Sequence, residues 1–179
     1  MNKIAWLSLA TLLVIAAPVA CNGSGQMAGN PKPPKAADAK PKDVNVEIAD
    51  FELKDLTGKT VNTAEARAGK VLVLKFGATW CPPCTAQIPH LSKAVATYPG
   101  KVIVIEVDIK EPAEKVKAHA AKHGAKYTIL LDETGKVAAT YRVRGIPAVI
   151  VAGKDGKIAY RGYYTPFKAL KEKIDPLLE

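Results

Sequence analysis

Two cysteines flank two prolines in Cys81-Pro82-Pro83-Cys84, and these are the residues of the sequence best suited to chemistry. An apolar run at 71–76 leads into them and an apolar-periodic segment at 85–98 leads out. The spacing predicts a buried strand feeding a helix whose first turn carries both thiols. At a helix N-terminus the orphan N–H groups and the macrodipole favour an anion, which places Cys81 to be a thiolate at neutral pH. Cys84 sits one turn on, within reach of the Cys81 sulfur, so the pair can close a small disulfide or open to a dithiol. Pro82 at the first helical position gives up only an N–H that has no intrahelical partner. The local chemistry is thiol–disulfide exchange.

The elements that must position this pair can be read in order. Weak alternation at 44–53 and a turn at Thr57-Gly58-Lys59 predict two short strands. Thr63 can cap a brief helix at 64–68, stopped by Gly69. The run Val71-Leu72-Val73-Leu74-Lys75-Phe76 is apolar throughout but for one lysine, the profile of a central parallel strand. The helix after the cysteines carries Ile88, Leu91, Val95 and Tyr98 on one face, with Pro89 expected to kink it. A strand at 102–109, a helix at 112–121, a strand at 127–131 and a short helical piece at 137–141 follow. Segments 146–151 and 158–161 form a hairpin about Lys154-Asp155-Gly156. Thr165-Pro166 is expected to cap and start a last helix with Phe167, Leu170, Ile174 and Leu178 at core spacing. The class is α/β, a mixed sheet with helices on both faces. No internal repeat is present.

At 179 residues the chain has room for one compact domain and appendages. Its formal net charge of +9 comes from dispersed lysines, many of them in the N-terminal tail. Without a basic stripe or a nucleic-acid motif, the charge argues for a solvated surface drawn to anionic envelope polymers or lipid headgroups, and against nucleic acid. Residues 1–20 have the layout of a signal peptide: Lys3 precedes an apolar core at 4–17 that is short for a membrane span. The segment ends Pro18-Val19-Ala20-Cys21, which resembles a bacterial lipobox, with Pro18 where leucine is usual. Two readings follow. Either Cys21 is lipidated and becomes the mature N-terminus, or ordinary cleavage after Ala20 leaves a free thiol. The chain has three cysteines, an odd number for an exported protein, and lipidation of Cys21 would leave Cys81 and Cys84 as a self-contained pair. Residues 21–43, rich in Pro, Gly, Ala and Lys, read as a linker, and 44–179 as the folded domain.

From Glu47 onward the chain resembles the thioredoxin superfamily, and within it the TlpA/ResA-like exported thiol–disulfide oxidoreductases. The resemblance rests on the opening segment Asp50-Phe51-Glu52-Leu53-Lys54-Asp55-Leu56-Thr57-Gly58-Lys59, on Trp80-Cys81-Pro82-Pro83-Cys84, and on Val143-Arg144-Gly145-Ile146-Pro147. It implies a thioredoxin-like fold with an extra N-terminal β-hairpin. It also implies Cys81 as an exposed nucleophile and Cys84 as the buried resolving thiol. Pro147 would be a cis-proline facing the disulfide, with Ile146, Pro82 and Pro83 on the substrate side and Trp80 beside the nucleophile. A proline offers no N–H there, and the Ile146 backbone can pair with an extended substrate. Glu111 matches the glutamate that ResA-like proteins place near the cysteines to tune their pKa.

The chain departs from the resemblance at two positions. Many relatives have tryptophan where it has Gly77, so one wall near the active site is expected to be missing. Thioredoxin has a buried aspartate, and many TlpA-like proteins asparagine, where it has Lys75; thioredoxin's partner lysine corresponds to Glu106. The expectation is a buried pair swapped in sign, Lys75 facing Glu106 across adjacent strands, since a lone mid-strand lysine is costly. A lysine near Cys84 would favour its thiolate. The alternative is a Lys75 near the strand end whose ammonium snorkels to water.

Other candidates are weaker. His119 and His123 stand four apart on a predicted helix, a metal-binding spacing with no third ligand in view, and His90 reads as a surface residue. Two thiols alone make half a zinc site, so no metal is expected, and no cofactor is needed because the sulfurs carry the electrons. The leading function is reduction of disulfides in exported proteins, with apocytochrome c as one client, electrons arriving from a membrane thiol donor, and the chain a monomer in the cell envelope. A peroxidase of the AhpC/peroxiredoxin type is an alternative, but Ala78 stands where that branch has the threonine of Thr-x-x-Cys. A Cu(I)-delivery module is another, although its usual cysteine spacing and downstream histidine are absent.

Overall fold

The computed structural model describes residues 44–179; the proposed signal peptide at 1–20, Cys21 and the linker at 21–43 lie outside the described residues. The fold is built on β3, Val71–Gly77, every residue of which is buried. It pairs in parallel with β4, Val102–Ile109, and antiparallel with β6, Ala148–Ala152. β5, Thr128–Asp132, adds in parallel to β4, and β7, Ile158–Gly162, adds antiparallel to β6. An N-terminal hairpin of β1, Glu52–Asp55, and β2, Thr60–Asn62, extends the sheet at β5, giving the order β2-β1-β5-β4-β3-β6-β7. Covered on both faces, β3 needs apolar side chains at successive positions, which is why its sequence runs rather than alternates.

Helices cover both faces. On one lie α2, Pro82–Thr97, and α5, Phe167–Ile174, whose Leu91, Ala94, Leu170 and Ile174 pack on Val71, Val73, Val104 and Val149. α3, Ala113–His123, packs Val116 and Ala120 on Ile129 and Leu131 of β5. The opposite face carries Leu72, Leu74, Phe76, Ile105 and Ile150 under α4, Lys136–Thr140, and α1, Thr63–Arg67, through Ala138 and Ala66. Pro89 lies inside α2, and the helix runs on past it to Thr97.

Local chemistry moved some expected boundaries. Asn62 caps α1 in place of Thr63, its Oδ1 accepting from the Ala64 and Glu65 N–H groups at 2.9 and 3.3 Å. Both residues are good cap formers, but the Thr63 hydroxyl is engaged by the Phe51 N–H at 2.9 Å. α3 ends at His123 because Gly124 takes the left-handed conformation, φ 65°. Thr165 does not cap α5, whose N-cap is Pro166 without a side-chain cap bond. Its backbone is held by Gln87 instead: Gln87 Nε2 donates to Thr165 O and Thr165 N–H donates to Gln87 Oε1, both at 2.7 Å. Leu178 falls beyond a 3₁₀ turn, Asp175–Leu177, that ends the helical path.

The Gln87 amide thus ties α2 to the loop before α5 through two buried groups. Gln87→Met keeps the length and apolar fit but leaves both backbone groups unpaired, each worth about 1–3 kcal/mol when buried. Urea unfolding of that variant is expected to show a loss of roughly 2–4 kcal/mol.

Candidate active site

Cys81 is the N-cap of α2, and its sulfur accepts the Cys84 N–H at 3.3 Å. Pro82 and Pro83 follow at the first helical positions and are exposed. The two sulfurs are joined in a disulfide with a Cα–Cα distance of 5.2 Å. Cys81 is only 4 % exposed, against the expectation of an exposed thiol. Its sulfur is closed in the disulfide and set 3.7 Å from the carbonyl oxygen of Ile146. The Ile146–Pro147 peptide bond is cis, and the Ile146 carbonyl brings the segment ahead of β6 against Cys81. Trp80, beside Cys81, is 67 % exposed, a large apolar surface at the rim of the site.

Glu111 clamps the loop that enters the cysteine motif. Its Oε2 accepts the Thr79 N–H at 2.5 Å and its Oε1 the Thr79 hydroxyl at 2.8 Å. Lys115, one turn into α3, pairs with Oε1 at 2.5 Å. Burial raises the Glu111 carboxyl, but Lys115 and the two Thr79 donors outweigh it, so the net shift is downward and the group is held as a carboxylate. Lys110, in the left-handed region at φ 58°, ends β4 and carries the chain round to Glu111.

Beneath the cysteines lies a charged layer on the α2 side of the sheet. Lys75 and Glu106 are register partners on β3 and β4, and their side chains form an ion pair. Lys75 is 1 % exposed and Glu106 6 %, so the lysine lies in the interior. The second Glu106 oxygen accepts the Tyr127 hydroxyl at 2.8 Å. Burial, then the Glu106 charge, pushes the Tyr127 phenol above its usual value, which keeps it a donor. The wall expected to be missing at Gly77 is filled from within. A Cβ there would stand 2.6 Å from Lys75 Nζ, 2.7 Å from its Cε and 3.3 Å from Cys84 Sγ. Glycine at 77 is what lets the lysine lie under the resolving sulfur.

Asp108 was not among the sequence candidates. It is the register partner of Gly77, 2 % exposed, and its Oδ1 has no hydrogen-bond partner. Burial first, then Glu111 and Glu106, push its carboxyl up to about 7, with Lys75 acting in the opposite sense. Only the spacing of two acids on one strand, Glu106 and Asp108 at i and i+2, could have flagged it. The histidines lie to the side. His119 Nε2 is 3.1 Å from the Thr85 hydroxyl and its ring 4.5 Å from that of His123. Burial, then His123, lowers the His119 pKa. His90, expected at the surface, is half-buried because its Nε2 meets the Tyr164 hydroxyl at 2.9 Å. Among the described residues no group of three His, Cys, Asp or Glu side chains could hold a metal.

An acid with a folded pKa above its unfolded value binds its proton more tightly in the folded chain. Its contribution to stability is therefore full below the unfolded value of 3.8 and is lost as pH rises toward about 7. Asp108→Asn removes that loss. Urea unfolding is expected to find the variant more stable than the parent at about pH 8, by on the order of 2–4 kcal/mol, and the difference to vanish near about pH 4.

The AhpC/TSA family model matches residues 44–161. A thiol-disulfide oxidoreductase ResA of Bacillus thuringiensis is 31% identical over 123 residues, covering 68% of this chain and 70% of its own. The thioredoxin-like protein YneN of Bacillus subtilis is 34% identical over 134 residues, 72% of this chain and 77% of its own. Among solved structures, a secreted Mycobacterium tuberculosis disulfide oxidoreductase homologous to DsbE superposes with a TM-score of 0.65 at 26% identity, covering 71% of this chain and 96% of that one. A DsbE-type thiol:disulfide interchange protein from Chlorobium tepidum gives a TM-score of 0.71 at 26% identity, covering 76% and 99%. The chain therefore belongs to the AhpC/TSA family and is a thioredoxin-like thiol–disulfide oxidoreductase of the ResA-like kind.

Proposed function

We propose that this oxidoreductase works outside the cytoplasm and reduces disulfides of exported proteins, apocytochrome c being one candidate client. The observation that carries the reading is the Cys81–Cys84 pair at the N-terminus of α2, facing the cis Ile146–Pro147 bond. The Cys81 thiolate attacks one sulfur of a substrate disulfide, forming a mixed disulfide and releasing the other substrate sulfur as a thiolate. Cys84 then attacks Cys81 Sγ, the Cys81–Cys84 bond forms, and the second substrate sulfur leaves. Two electrons pass to the substrate, whose thiolates take protons from water. Ile146 offers backbone groups to an extended substrate chain beside Pro147, and Pro82, Pro83 and Trp80 form the apolar rim. Glu111 holds the Thr79 loop and tunes the cysteines. A membrane thiol donor would return the pair to the dithiol.

The envelope location is supported by the signal-peptide layout of residues 1–20 and by the secreted relative from Mycobacterium tuberculosis. Lipid on Cys21, with the linker at 21–43 giving reach, would tether a monomeric domain near membrane clients. The peroxidase branch is disfavoured by Ala78 and by two cysteines close enough to bond each other.

The purified chain is expected to reduce insulin disulfides with dithiothreitol as electron source. Cys81→Ser should abolish the activity, and Cys84→Ser should accumulate a mixed disulfide visible on a non-reducing gel. A reduction potential near thioredoxin's, about −270 mV, is the expected result for a reductant, whereas about −120 mV would reverse the proposed direction.

A further inference from the structure

The layer under Cys84 has more polar capacity than the ion pair uses. An ammonium has three N–H donors, and among the described residues the Lys75 hydrogen bond goes to Glu106 alone. Lys75 Nζ lies 2.6 Å from the point a Cβ at Gly77 would occupy, and Cys84 Sγ lies 3.3 Å from the same point. Asp108 is the strand neighbour of that same glycine, one strand spacing (about 4.8 Å) away and on the same face of the sheet. Its buried Oδ1 has no partner. Lys75 Nζ and the Cys84 sulfur thus share the space over one glycine, and a buried acid with an unpartnered oxygen stands beside that glycine on the neighbouring strand.

We propose that Lys75 is the counter-ion of the Cys84 thiolate and that Asp108 receives the proton Cys84 gives up when it resolves the mixed disulfide. The inference rests on the exchange cycle proposed above and names the groups that drive its second step. The Cys84 thiol passes its proton to the Asp108 carboxylate, so one buried anion replaces another and no net charge is created in the interior. Lys75 holds the negative charge on sulfur as it forms. The thiolate then bonds Cys81 Sγ, and the substrate sulfur departs with the electron pair of the broken bond. When the donor reduces the pair again, Asp108 returns the proton to Cys84. The charged and titratable groups around Asp108 set its balance. Lys75 faces it from β3, Glu106 from β4 and Glu111 from the following loop with Lys115 upon it. His119 of α3 interacts with Glu106, Lys75 and Glu111 of the same layer, Tyr127 donates to Glu106, and Cys84 of α2 lies across Gly77. Of these, Lys75 acts on Asp108 to favour its carboxylate, while Glu111 and Glu106 oppose it.

Two measurements on the full chain carrying Cys21→Ser test this. With Cys81→Ser added, Cys84 is the single thiol, and its ultraviolet thiolate absorbance can be titrated. Cys84 is expected to ionise below the ordinary thiol value of about 8.5. Its proton affinity should rise at least about tenfold in Lys75→Gln/Glu106→Gln, which keeps a neutral hydrogen bond, and in Gly77→Ala, whose Cβ takes the ammonium's place. Titration at or above about 8.5, or no change in Gly77→Ala, would overturn the role of Lys75. With Cys81 intact, Ellman's reagent forms a mixed disulfide on Cys81, and the second release of thionitrobenzoate reports attack by Cys84. That rate should rise with pH through an inflection near 7. In Asp108→Asn it should fall at least about tenfold at neutral pH and lose the inflection. An unchanged rate and profile would sink the role of Asp108. Neither measurement involves a protein substrate, so failure to reduce insulin would leave both readable and would bear on the proposed function alone.

Discussion

A lysine in the middle of a strand buried on both faces is the constraint on which the site depends. Taking an ammonium and a carboxylate out of water costs several kcal/mol for each, and only close pairing with further hydrogen bonds offsets it. The parallel register of β3 and β4 supplies the pairing by setting Lys75 opposite Glu106. Tyr127, from the approach to β5, supplies the additional donor. Three adjacent segments must therefore be in register before the charge can be buried at all. The same register sets Asp108 beside Gly77, under the helix that carries the cysteines.

This gives the two sulfurs different surroundings. Cys81, itself only 4 % exposed, has the Ile146 carbonyl on one side and the exposed Trp80, Pro82 and Pro83 as its neighbours in the chain. Cys84, 1 % exposed, shares the space over Gly77 with Lys75, and Asp108 stands beside that glycine on the neighbouring strand. In such a medium a charge is worth more than at the surface, so which groups lie under the inner sulfur decides how readily it becomes an anion. Gly77 is part of this arrangement because it leaves the lysine room. Glu111 acts from the opposite direction, holding the loop that enters the motif rather than the sulfur that ends it.

Much of this was legible in the sequence because it depends on short-range pattern. The apolar run of β3 followed by Cys81-Pro82-Pro83-Cys84 announces strand, cap and helix, since a central parallel strand cannot alternate and a helix start tolerates proline. Lys75 and Glu106 were paired through the resemblance to thioredoxin, whose buried aspartate and partner lysine fall at these two positions, and the register of β3 and β4 bears the pairing out. What was not legible depends on residues that are distant in the chain. Gln87 and Thr165 are joined across 78 positions, and nothing near either one signals it. Thr63 and Thr165 both looked like caps, yet the Thr63 hydroxyl is taken by the Phe51 N–H and the Thr165 hydroxyl donates locally to the Tyr163 carbonyl while its backbone is held by Gln87. The half-burial of His90 likewise depends on Tyr164.

The sequence by itself determined the kind of chemistry, because the reactivity of two thiols three positions apart at a helix start follows from local geometry. It also determined the fold class, because hydrophobic period and turn residues are local properties. Only the tertiary structure decided the electrostatics beneath Cys84. An aspartate at position 108 reads as an ordinary polar residue near a strand end until β3 pairs beside it and the packed fold buries it. Burial and the neighbouring carboxylates, which exist only once those elements pack, are what turn it into an acid that titrates near 7.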